Sequence, residues 1–193
     1  MRILCLFKRR YMRKDVIVDR YARLYELPRQ LALRGHTVLG LCLNYRGQAP
    51  AFASTDAEGD GRLHWQSCDL GTLLLPGLWH YRHKVHAALA SFRPDIILGG
   101  SDSLHVAMSA HFARGARLPY ALDLFDNYES FGLARLPGLT RAYHRALRHA
   151  DAVTCVSEPL RAMIAERYTP AARVSTLEST INHALFHPRD RAA

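Results

Sequence analysis

RPDIILGGSDSLHVAMSAHFARGARLPYALDLF, Arg93 to Phe125, contains a turn, a short apolar run, a glycine-rich exit, a stretch of helix formers and a second apolar run. Short apolar runs without polar alternation belong to strands covered on both faces, as in parallel sheets. The stretch therefore predicts strand, helix over 103–114 and strand, a unit that places two parallel strands side by side.

The same alternation continues in both directions. Upstream, Met1 to Phe7 reads as a first strand. Val16 to Arg34 reads as a helix, with Ile17, Tyr21, Leu24, Leu27 and Leu31 at helical spacing, and Gly35 stops it before the strand TVLGLCL. Pro28 lacks a donor, so it should kink or split that helix. The basic segment from Lys8 to Asp15 and the Gly, Pro and Ser-rich stretch from Asn44 to about Gly61 read as loops. A short strand near Leu63 to Gln66 and a helix from Leu78 to Phe92 lead into the opening stretch. Downstream come a helix over 139–149, the strand DAVTCVS, a helix over 159–167 and a last short strand over 173–176. The fold class is α/β, a single Rossmann-like domain with a mostly parallel sheet and helices on both faces. We place the domain at 1–188, with 189–193 as the start of a linker.

The chain has 193 residues, 49% of them apolar, which is enough for a sizeable core. It contains no apolar run long enough to span a bilayer and opens with a short apolar run followed by charge, which predicts a cytoplasmic chain. Cys5, Cys42, Cys68 and Cys155 are scattered without metal-type spacing and read as buried free thiols. His80, His83 and His86 in WHYRHKVH do not converge on one helical face, so no metal site is expected and a solvated face is. The formal charge of +9 favours phosphates, nucleic acid or an anionic membrane surface. Nucleic acid is disfavoured, because no helix-turn-helix, zinc knuckle or ribonucleoprotein strand is present.

In open parallel sheets ligands bind outside the carboxyl ends of the strands. Four turns should share that edge. In the first, KRRYMRKD, the residues Arg9, Arg10 and Lys14 either form a solvated basic loop or attract a diphosphate. In the second, Gly99 and Gly100 permit close backbone approach, and Ser101 and Asp102 either cap the next helix or line a phosphate site. The third, DNYES, sets Asp126, Asn127 and Glu129 beside two aromatics, a composition suited to sugar hydroxyls and their apolar faces. The fourth brings Ser157. The helix with Arg141, Arg145 and Arg148 beside Leu139, Tyr143 and Leu147 should cover the sheet, with any membrane contact additional.

These pieces together resemble the N-terminal, acceptor-side domain of a family 4 retaining glycosyltransferase of the GT-B fold. The resemblance rests on MRILCLFKR, ELPRQLALRGHTVLGLCL, RPDIILGGSD, LPYALDLFDN, ADAVTCVSEPLRAMI and LESTINHALFHPRD in that order. It implies transfer of a sugar from a nucleotide diphosphate sugar to a saccharide or lipid-linked acceptor, with retention and no cofactor or essential metal. A second Rossmann domain would hold most of the donor, so the chain alone should not turn over. The departures are KRRYMRKD where relatives carry a Gly-Gly turn, and Phe125 and Asp126 where many carry a histidine. Asp126 then becomes the catalytic candidate, with Arg9, Arg10, Lys14, Ser101, Asp102, Asn127, Glu129 and Ser157 as substrate-binding candidates. A binding domain without chemistry, for a phosphorylated or lipid-linked saccharide, is the alternative.

Overall fold

The computed structural model describes residues 1–45, 53–72, 74–130 and 137–179. The expected domain limit at 188, the linker and the LESTINHALFHPRD match from residue 180 onward lie outside the described residues. Among the described residues, ten strands and five α-helices follow one another as β1 (Arg2–Lys8), β2 (Arg10–Tyr11), β3 (Lys14–Asp15), α1 (Ala22–Leu33), β4 (Thr37–Asn44), β5 (Ala53–Glu58), β6 (Gly61–Asp69), α2 (Leu74–Phe92), β7 (Ile96–Gly100), α3 (Ser103–Ala116), β8 (Tyr120–Leu124), α4 (Pro137–His149), β9 (Ala152–Cys155), α5 (Glu158–Arg167) and β10 (Val174–Thr176).

Eight strands form one sheet in the order β10-β9-β8-β7-β1-β4-β6-β5, parallel throughout except for β5. β1 is central because its residues are apolar on both faces. Leu4 and Leu6 enter a core with Tyr81 and Val85 of α2, Val106 of α3 and Leu147 of α4. Ile3, Cys5 and Phe7 enter the opposite core with Leu24 and Tyr25 of α1 and Trp65 of β6. The sheet thus has helices on both faces, α1 on one and α2 to α5 on the other. The chain builds outward from β1 through β4 to β6, crosses back by α2, and builds the other way from β7. The strand order therefore reverses between β1 and β7, where a ligand crevice opens in this architecture.

The departures from the sequence reading have local causes. The basic segment is not a loop but a tight hairpin, β2 against β3, turning at Met12 and Arg13 with φ of 50° and 65°. The helix expected from Val16 begins only at Ala22. Asp15 captures the backbone N–H groups of Ile17 and Val18 at 2.9 and 3.1 Å, an alternative to helical bonding, while Val16 and Ile17 turn into the core. Helix α1 then runs unbroken through Pro28. Part of the expected 44–61 loop is β5, a polar edge strand that pairs antiparallel to β6 from Ala53↔Gln66 to Glu58↔Gly61. Gly61 is required there, since a Cβ would lie 2.2 Å from the Ala32 carbonyl oxygen and 2.3 Å from that of His36.

His80, His83 and His86 stand exposed on α2, and no metal-binding cluster occurs among the described residues. All four cysteines are buried free thiols, and burial pushes the Cys68 and Cys155 thiols up to about 11, so they stay protonated. In α4, Tyr143, Ala146 and Leu147 cover the sheet while Arg141, Arg145 and Arg148 face outward. No described helix is long and apolar enough to cross a membrane.

Candidate active site

A cleft of about 490 Å³ lies at the carboxyl ends of β1, β4, β7 and β8, over the reversal point of the sheet. Its floor is the exit of β7. Gly100 is fixed by space, because a Cβ would come within 2.7 Å of the Asp123 carbonyl oxygen on β8. Ser101 follows with φ of 80° and is fully buried, and its hydroxyl oxygen accepts the Lys8 N–H at 2.9 Å. This bond ties the exits of β1 and β7 together across the crevice.

Asp102 is the N-cap of α3. Its Oδ1 accepts the His105 backbone N–H at 2.9 Å and lies 3.0 Å from His105 Nδ1, while its Oδ2 accepts the Tyr45 hydroxyl at 2.9 Å. Burial raises its pKa, but His105 and Lys8 outweigh burial and hold the carboxyl below its ordinary value. The Tyr45 phenol is pushed well up by burial and by Asp102, so it remains a donor. A wall of the cleft is therefore fixed by a network buried beneath it. Asp102→Ala removes a helix cap and leaves His105 and Tyr45 with a lost partner, which should cost about 2–3 kcal/mol at neutral pH. A carboxyl with a depressed folded pKa stabilises above its unfolded value, and that contribution disappears as pH falls through the folded one. The gap in melting temperature between wild type and Asp102→Ala should accordingly shrink from pH 7 to pH 3.

Opposite stands a cation among rings. Lys8 Nζ is 4.8 Å from the centre of the Tyr11 ring and 5.9 Å from that of Phe125, and the two rings meet edge to face at 5.1 Å. Burial lowers the Lys8 pKa, while Asp102 and Asp126 draw it back up. Arg10 and Arg13 add charge at the hairpin, and Tyr45, Phe125 and Tyr128 supply apolar ring surface. Asp126 is exposed on the rim, with Oδ1 accepting the Asn127 N–H at 2.8 Å and the rest of its lone pairs available to a ligand. Cations, one exposed carboxylate and aromatic faces in a single cleft match the chemistry of a phosphorylated sugar.

The sequence pattern of the glycosyl transferase 4-like domain matches residues 21–179. The chain belongs to that family. No curated protein matches it. Among solved structures, sucrose-phosphate synthase from Thermosynechococcus elongatus superposes with a TM-score of 0.69 at 12% identity, over 98% of this chain and 51% of that one. Anabaena Alr3699/HepE in complex with UDP gives 0.56 at 15% identity, over 96% and 46%. UDP-GlcNAc 2-epimerase from Methanocaldococcus jannaschii gives 0.57 at 10% identity, over 91% and 45%. The chain spans about half the length of these structures, and the likeness is one of fold.

For this glycosyl transferase 4-like chain, the structure brings Arg10, Ser101, Asp102 and Asp126 into one cleft, as the sequence suggested. Arg9 is a correction. It is buried, with 3% exposure, and donates to Asp15 at 2.9 Å and Ser67 at 3.0 Å, pinning the hairpin to β6 instead of meeting a ligand. Lys14 is exposed on β3, away from the cleft lining. Asn127 accepts the Glu129 N–H at 3.2 Å and opens the turn Tyr128–Ser130. Glu129 faces away from the cleft, bonded to His144 at 2.8 Å and to the Tyr168 hydroxyl. Ser157 occupies the N-cap position of α5 and makes no side-chain cap bond. Asn44 and Tyr45 were missed, although they end a buried strand on the same edge and were legible on that ground.

Proposed function

We propose that the chain is the acceptor-side domain of a retaining hexosyltransferase, which moves a sugar from a nucleotide diphosphate sugar to a hydroxyl of a saccharide or lipid-linked acceptor. The observation that carries this is the cleft itself, where Lys8, Asp126 and the rings of Tyr11, Tyr45 and Phe125 converge on the reversal point of a transferase-family sheet. Lys8, Arg10 and Arg13 attract the phosphates, Asp126 orients a sugar hydroxyl, and the rings stack on the sugar's apolar faces. The shared fold of Alr3699/HepE, a protein solved in complex with UDP, supports the choice of donor. A second Rossmann domain supplies the remaining donor contacts, so residues 1–193 alone should show no transfer. No cofactor or metal takes part, and the reaction belongs to cytoplasmic polysaccharide assembly.

The test is transfer by the chain joined to such a second domain, followed by the anomeric configuration of the product. Retention with undiminished rate in a chelator agrees with the proposal. Inversion, or robust transfer by residues 1–193 alone, contradicts it. Saccharide binding without transfer by the joined protein selects the non-catalytic alternative.

A peripheral contact with an anionic bilayer is part of the same proposal. The apolar side of α4 is used by the core, but Leu75 and Trp79 on α2 stand 76% and 64% exposed beside Arg82 and Lys84. The other tryptophan, Trp65, is buried, so a blue shift of emission on adding anionic vesicles would report Trp79. An unchanged spectrum with vesicles in excess removes this contact.

A further inference from the structure

A second concave surface, of about 300 Å³, lies between α3 and α4 where they cover the start of β8 at Tyr120. Its floor includes four alanines, which bring the two helices close. Its walls are His111 and Arg114 from α3 and Arg141, Arg145 and His149 from α4. The α4 residues recur every fourth position, so they form one stripe, and like charges one turn apart repel. Helix α3 faces that stripe with further basic groups. Neither helix contains an aspartate or glutamate. The acid next in sequence, Asp151, is engaged with the Tyr120 N–H at 3.0 Å. None of the three arginines has a carboxylate partner among the described residues.

A fold that needed these arginines for its own stability would pair them with acids, as Arg23 and Arg9 are paired. Three unpaired guanidinium groups converging on a small concavity instead present several fork-shaped donors to one anion. The concavity admits a phosphate group with a small carrier and is too confined for a nucleic-acid duplex, and its alanine floor offers no ring for a base to stack on. We propose that the α3–α4 groove is a binding site for a multiply charged phosphate group, separate from the cleft and independent of the transferase reading. The source is either a soluble diphosphate-bearing molecule or the headgroup of an anionic lipid.

Calorimetric titration of the full chain with pyrophosphate at low salt tests the proposal, with phosphatidic acid vesicles in a parallel sedimentation assay. Three variants are compared: R141Q/R145Q, R114Q, and Lys8→Gln as a cleft control. We expect R141Q/R145Q to weaken the groove's binding at least tenfold, R114Q to weaken it less, and Lys8→Gln to reduce only binding at the cleft, whose cations also attract a diphosphate, while the groove's binding persists. The melting temperature of R141Q/R145Q should not fall, because the change relieves repulsion. Loss of pyrophosphate binding in the groove variants establishes a soluble ligand class. Loss of vesicle binding alone, with no pyrophosphate binding in the wild type, establishes a lipid headgroup. The proposal is overturned if the wild type binds neither probe, or if R141Q/R145Q and R114Q bind both as the wild type does.

Discussion

Asp123→Ala is expected to destabilise the fold by about 3–5 kcal/mol, because it strands a buried guanidinium. Arg23 of α1 reaches across the sheet to Asp123 on β8 in a two-pronged pair, Nε to Oδ2 at 2.8 Å and Nη2 to Oδ1 at 2.7 Å. The two side chains are 8% and 1% exposed, and Thr154 of β9 donates a third bond to the carboxylate. Burying such a pair is costly, so its presence is weak evidence of net stabilisation. Removing one member is different, since the Arg23 guanidinium then stays buried without a carboxylate and keeps only the bond from its Nη1 to the Leu177 carbonyl oxygen. For a chain of this length the loss corresponds to a fall in melting temperature on the order of 10 °C. Arg23→Met combined with Asp123→Leu should recover roughly 1–3 kcal/mol of it, because both charges then leave together. Denaturant titrations of Arg23→Met, Asp123→Leu and the double variant give the coupling directly. A cost below about 1 kcal/mol for Asp123→Ala would show that the pair is hydrated in solution. The consequence reaches the cleft, because Asp123 stands just before Phe125 and Asp126 and against Gly100.

Both the stability of that corner and its chemistry come from one short stretch, and only part of it was legible. The strand character of Tyr120–Leu124 followed from its apolar run. The location of its exit on the binding edge followed from the alternation of strands and helices. What the sequence left open was the direction of each polar side chain after the strand, since one turn of backbone decides it. Asp126 ends on the rim, Asn127 folds back on the chain, and Glu129 is drawn to His144 and Tyr168, partners far away in sequence. Arg9 is a similar case. As one cation among several neighbours it looked exposed, but its partners Asp15 and Ser67 come from the returning strand of the hairpin, β3, and from β6. The edge strand β5 escaped notice for the opposite reason. Its residues ASTDAE carry no apolar run, and a strand at the edge of a sheet is defined by its neighbour and protected by polarity.

Asp126→Asn, placed in the joined two-domain protein, is expected to lower kcat/KM roughly 10- to 150-fold with no loss of stability. The substitution keeps an oxygen that accepts the Asn127 N–H, so the turn into Tyr128–Ser130 survives. What it removes is the negative charge beside Lys8 and the second strong acceptor that the proposed function gives to a sugar hydroxyl. A hydrogen bond to a charged group contributes about 1.5–3 kcal/mol, which converts to the stated range. The same change also withdraws one of the two carboxylates that support the Lys8 ammonium against burial, so Lys8 should lose its proton at lower pH than in the wild type. The alkaline limb of the pH–rate profile should therefore move downward, a shift that a purely structural role for Asp126 would not produce. Were kcat/KM and the profile both unchanged while melting stayed constant, Asp126 would be a solvated turn residue and Lys8 alone would mark the ligand side of the cleft.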